Sequence, residues 1–85
     1  MEYVVIVFRS RSSTVGVAST LNRFGIYNEI ISTPKEAQVG CGLSLKIKLS
    51  DFDKVKNWLK NTLDFKNASY FKVKEVAGKR QIKSI

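Results

Sequence analysis

The sequence has no histidine, one cysteine, one proline and seven acidic residues against fifteen basic ones. Each shortage excludes a chemistry. Without histidine there is no Ser/His triad, no Cys/His nucleophile pair and no mixed zinc cluster, and a single cysteine forms neither an internal disulfide nor an all-thiolate metal site. The five glycines are scattered, so no Walker or dinucleotide phosphate loop is present. Two of the few carboxylates, Asp51 and Asp53, suit the first turn of a helix. We therefore expect no metal, no cofactor and no autonomous enzyme, but a carrier or binding protein.

Long apolar runs are missing too: nothing approaches the roughly 20 apolar residues needed to cross a bilayer. Met1-Glu2-Tyr3 leads into an apolar stretch with no basic leader or cleavage site. The expectation is a cytoplasmic protein, off the membrane, with a reduced thiol. Its 85 residues make one domain, 1–85, with one modest core. The net charge of +8 favours anionic partners, although lysines that alternate with apolar residues ordinarily form a solvated face.

Tyr3 to Phe8 is an unbroken β-branched and aromatic run, the pattern of a strand covered on both faces. Arg9 to Ser13 turns the chain. Ser12 or Ser13 caps a helix from about Thr14 to Phe24, with Val17, Leu21 and Phe24 on its apolar stripe, widened by Val15 and Ala18, and Gly25 as its stop. Tyr27 to Ser32 reads as an edge strand because of its polar Asn28 and Glu29. Leu43 to Leu49 alternates, with leucines and Ile47 inward and Ser44, Lys46 and Lys48 on a wet face.

Ser50 is placed to cap a second helix carrying Phe52, Val55, Leu59 and Leu63 inward, with Trp58 at the margin. Asp64 to Ser69 connects it to a fourth strand, Tyr70 to Val76. Residues 77–85 form a short extra strand or a basic tail. The order strand, helix, strand, strand, helix, strand is the ferredoxin-like split βαβ, an α+β fold with a four-stranded antiparallel sheet and both helices on one face.

Between the second and third strands lies Thr33-Pro34-Lys35-Glu36-Ala37-Gln38-Val39-Gly40-Cys41-Gly42, with the sole proline and the sole cysteine. Pro34 holds the loop and pushes Thr33 towards an extended conformation, ending the strand before it. Gly40 and Gly42 free the backbone on both sides of Cys41 and leave its sulfur little obstructed. In the split βαβ order the start of the third strand is level with the end of the first. Cys41 then lies near Arg9, Arg11 and the amino end of the first helix, where cations and free N–H groups favour a thiolate; Lys35 adds charge. A lone cysteine is otherwise a small buried hydrophobe, and the residues alone leave both readings open.

Ile31-Ser32-Thr33-Pro34-Lys35-Glu36, followed by Cys41-Gly42-Leu43-Ser44-Leu45-Lys46, resembles the Thr-Pro-Arg and Cys-Gly-Leu signature of the selenium/sulfur carrier protein-like family. The apolar first strand, the serine-rich helix start and Phe24-Gly25-Ile26 fit as well, and the resemblance covers most of residues 3 to 76. Lys35 stands at the signature's arginine, keeping the charge and giving up a planar bidentate donor. The resemblance implies a carrier: the Cys41 thiolate would hold a persulfide or perselenide, with Arg9, Arg11 and Lys35 stabilising the anion, and exchange it with sulfur or selenium donor and acceptor proteins.

Two other readings stand beside it. The charge suits a nucleic-acid-binding module, although the third strand lacks the aromatics on which RNA-recognition motifs stack bases. A homodimer through the open sheet face would cover the apolar residues of the first strand that face away from the helices.

Overall fold

Tyr3 to Phe8 are all buried, and the strand they build, β1 (Glu2–Val7), lies in the middle of the sheet. The computed structural model describes residues 1–37, 42–62 and 68–85. Beside β1 run β2 (Asn28–Ser32), β3 (Leu43–Lys48), β4 (Ser69–Val76) and β5 (Lys79–Ser84), in the order β2-β3-β1-β4-β5. Every neighbouring pair is antiparallel. The fold is α+β, but the expected four-stranded sheet has five strands. Ala77 and Gly78 both adopt positive φ, 52° and 78°, as the tight two-residue turn between Val76 and Lys79 requires, and the last residues return along β4 as a strand and not as a tail.

Two helices cover one face. Helix α1 (Arg11–Arg23) begins earlier than the Ser12–Ser13 pair suggests, because Ser10 is its cap: extended at φ −132°, it accepts the Ser13 N–H on Oγ at 3.1 Å. Its buried stripe is Thr14, Val17, Ala18 and Leu21. Val15 and Phe24, expected on that stripe, are 51% and 62% exposed, and Phe24 stands edge-on to Trp58 at 6.1 Å. Gly25 ends the helix at φ 73°, its N–H donating to the Asn22 carbonyl while the Ile26 N–H donates to that of Leu21, the paired bonds of a Schellman motif.

Helix α2 (Phe52–Lys60) is entered through a 3-10 turn at Leu49–Asp51, so Ser50 is not its cap. The turn already gives the Phe52 N–H an acceptor, the Leu49 carbonyl, and the cap residue Asp51 makes no side-chain capping bond. Val55 and Leu59 are buried as expected; Leu63 lies outside the described residues.

The core has two parts, one on each side of the sheet. Val4, Ile6, Phe8, Leu45 and Ile47 meet Val17, Ala18, Leu21, Val55 and Leu59 on the helix side. On the other side Tyr3, Val5, Val7 and Val73 are buried beneath Ala37, with Ile31, Phe71 and Ile82 packed around them. The apolar residues expected to need a second subunit are thus buried within one chain. Ser44, expected on a wet face, is fully buried there as well. Among the described residues, no helix is long and apolar enough to cross a membrane.

Tyr3 closes the second cluster by donating its hydroxyl to Glu75 Oε1 at 2.9 Å. Burial raises its pKa, the Glu75 carboxylate raises it further, and Arg80 partly opposes both. A phenol whose pKa is higher folded than unfolded keeps its proton better in the native state. Its contribution is complete below the ordinary tyrosine value of about 10 and is lost as pH rises through the folded value. Tyr3→Phe should cost about 1 kcal/mol at neutral pH, and its deficit against wild type in urea unfolding should shrink above about pH 10. A deficit constant with pH would show that the hydroxyl's proton is not what the fold uses.

Candidate functional site

Pro34 ends β2 at Ser32 and is itself buried. From there the chain does not project outward but folds back over the sheet as a 3-10 turn, Lys35–Ala37, in which the Ala37 N–H donates to the Pro34 carbonyl at 2.9 Å. Ala37, 1% exposed, is the lid of the second core cluster. The loop therefore starts from a buried footing.

Its two ends are tied together. The Thr33 N–H donates to the Gly42 carbonyl at 2.9 Å, and the hydroxyls of Thr33 and Ser44 share a buried hydrogen bond of 2.6 Å. Gly42 adopts φ 90° in open space, so a side chain there would meet backbone strain and no steric block. A third tie comes from across the sheet, where Arg80 of β5 approaches Glu36 at 3.4 Å. Both partners are nearly half exposed, and such pairs contribute roughly 0–1 kcal/mol.

The register sets the ends of the strands level. Val7, at the end of β1, pairs with Ser44, and Ser32 pairs with Leu43. Arg9 follows directly on buried Phe8, and Arg11 is the first residue of α1; both are exposed at the end of the sheet from which the loop leaves. Lys35 is also exposed, but the 3-10 turn carries it to the side of the sheet away from the helices. Gly40 and Cys41 lie outside the described residues.

The first turn of α1 contains no acid, so its positive end is not neutralised from within the helix. Ser10 Oγ donates to Ser13 Oγ at 2.9 Å and lies 3.2 Å from Ser12 Oγ, a polar cluster at that end. An anion brought there would meet guanidinium groups and helix N–H groups together, with nothing of opposite sign in the helix turn to compete.

Sequence reasoning passed over Thr33, Glu36, Ala37, Ser44 and Arg80. Ser44 occupies an outward position in a clean alternation, and only the loop lying across it makes the position buried. The one available signal was Thr33 itself, a hydroxyl residue locked between a strand end and a proline.

An antiparallel α+β sheet with a short loop stapled to its β2–β3 end defines the class of the protein. The chain belongs to the family described as Putative Se/S carrier protein-like, whose model matches residues 3–72. The match includes the loop and stops within β4, ahead of β5. No curated protein and no solved structure matches the chain.

The buried hydroxyl pair provides a test of the loop's footing. Ser44→Ala leaves the Thr33 hydroxyl buried without its partner and should cost about 1–3 kcal/mol. The double variant Thr33→Val, Ser44→Ala should lose less than the sum of the two single changes, a coupling that urea denaturation of the four proteins would measure. Strict additivity would mean that the two hydroxyls do not depend on each other.

Proposed function

We propose that Cys41 is the carrier atom of a sulfur or selenium carrier and that the protein passes the chalcogen between partner proteins without itself turning over a substrate. The observation that carries this is the family match across the whole loop, residues 33–42 falling within residues 3–72. Support also comes from the two arginines and the acid-free helix start at the end of the sheet where the loop is rooted. The strand order β2-β3-β1-β4 with both helices on one face supports a ferredoxin-like core to which β5 is an added edge.

In the transfer step the Cys41 thiolate attacks the terminal sulfur of a donor persulfide. A new S–S bond forms at Cys41 as the donor's S–S bond breaks, the donor leaves as a thiolate, and the proton stays on the transferred sulfur. No external oxidant or reductant enters, because the transferred atom keeps its oxidation level. A perselenide moves in the same way. Discharge is the same exchange with a thiolate on the acceptor as the attacking group, and with one cysteine in the chain no internal thiol competes for it. Arg9 and Arg11, at the end of the sheet where the loop is rooted, stabilise the anionic forms before and after transfer, while Lys35 adds positive charge only from the other side of the sheet. Such a thiol works where thiols stay reduced, as in the cytoplasm.

Incubation with a cysteine desulfurase and cysteine should add the mass of one sulfur atom to the intact protein. The addition should vanish on treatment with a reducing thiol and be absent in Cys41→Ser. Arg9→Ala with Arg11→Ala should slow loading about tenfold or more without changing its extent, since one pKa unit of thiolate stabilisation corresponds to 1.36 kcal/mol. An unchanged mass after exposure to the donor would sink the carrier reading.

A further inference from the structure

The hairpin of β4 and β5 has two unlike sides. On the side away from the helices Glu75 pairs in register with Arg80 and Val73 with Ile82, which are complementary partners. On the helix side Lys72 lies directly opposite Lys83, Lys74 opposite Gln81 and Val76 opposite Lys79. The side is fixed by β1, because Lys72 pairs with Val4, whose side chain is in the helix-side core. Lys74, Lys79, Gln81 and Lys83 are exposed, and the Lys72 side chain is 40% exposed.

Lys56 of α2, resting over the rings of Phe52 and Tyr70 at 5.3 and 5.7 Å, borders the same surface. The acid that β1 brings to it is Glu2, 3.9 Å from Lys72. Five ammonium groups thus gather on a strip of sheet at the margin of the helical layer.

We propose that this strip is a docking shelf for the sugar-phosphate backbone of a nucleic acid, held by charge and not by base identity. Like charges directly opposite on antiparallel strands oppose pairing, so Lys72 and Lys83 do not serve the hairpin. They serve a polyanion. Successive lysines on one side of a strand are about 6.8 Å apart, two residues at about 3.4 Å each. A nucleic-acid backbone presents a phosphate to each whatever its register, whereas an acidic protein would need carboxylates placed to match.

Lysine suits the task as a point charge on a flexible stem. Among the described residues the nearest ring is Tyr70, half-buried beneath Lys56, an arrangement that suits binding by charge without sequence preference. Lys74, Lys79 and Lys83 lie beyond the family match, which ends at residue 72.

The test uses the full-length protein and a fluorescein-labelled oligouridylate, with anisotropy titrations across a range of salt. Wild type should bind with a steep salt dependence. Lys83→Gln and Lys72→Gln should each weaken binding several-fold and make the slope of log K against log salt shallower by about 0.7, the share of one released counterion on a single strand. Lys54→Gln removes the same charge from the groove lined by Phe24 and Trp58 and should leave both nearly unchanged.

Relief of the Lys72–Lys83 repulsion should leave the Tm of Lys83→Gln at or above that of wild type, and Lys74→Gln keeps the test open if that variant fails to fold. Cys41→Ser should bind as wild type does, which separates the shelf from the carrier site. Equal loss in Lys54→Gln would reduce the effect to net charge and overturn the proposal. Displacement of the RNA by polyglutamate at equal charge would overturn it in favour of an acidic protein partner.

Discussion

The structure depends on a strand that is buried on both sides. β1 has its helix-side residues under α1 and α2, but Tyr3, Val5 and Val7 point the other way, where no α-helix lies among the described residues. Leaving three such side chains wet would forgo roughly 1.5–3 kcal/mol each. The chain covers them with what it has to hand: Ala37 at the turn of the loop, and Ile82 on β5. The loop that carries the cysteine is thereby made part of the core at one end, and the fifth strand is made part of it at the other.

That constraint shapes the site. A loop of ten residues between two strands would ordinarily be free to swing. Here its first five residues are held by burial of Thr33, Pro34 and Ala37, and its return at Gly42 is held by a backbone bond to Thr33. The Thr33–Ser44 hydroxyl pair lies in the dry layer between loop and sheet, where a polar group without a partner is costly.

Much of this was legible in the sequence, and the failures have physical causes. Tyr3 to Phe8 announced a central strand because six apolar residues in a row leave no wet face, and the Leu43–Lys48 alternation announced its neighbour. The cap of α1 was misplaced because three serines lie close together, and only backbone geometry shows that Ser10 is the extended one. The fifth strand was left undecided because Ala77-Gly78 is a poor advertisement for a tight hairpin: Asn or Gly is expected where Ala77 adopts positive φ. The burial of Ser44 could not be read at all, since its partner is the Thr33 hydroxyl, which only the fold brings to it.

The proposed lysine shelf and the arginine end belong to one sheet: β4, with Lys72 and Lys74, adjoins β1, after which Arg9 follows, and lies two strand spacings, about 10 Å at roughly 4.8 Å each, from β3, to which the loop returns. That is comparable with the Debye length of about 8 Å at physiological ionic strength, so a polyanion on the shelf would be felt at the arginine end. Docking would also alter encounter. A carrier held on a nucleic acid presents its loaded group at a fixed distance from that surface, and the effective concentration of the group towards an acceptor on the same molecule rises.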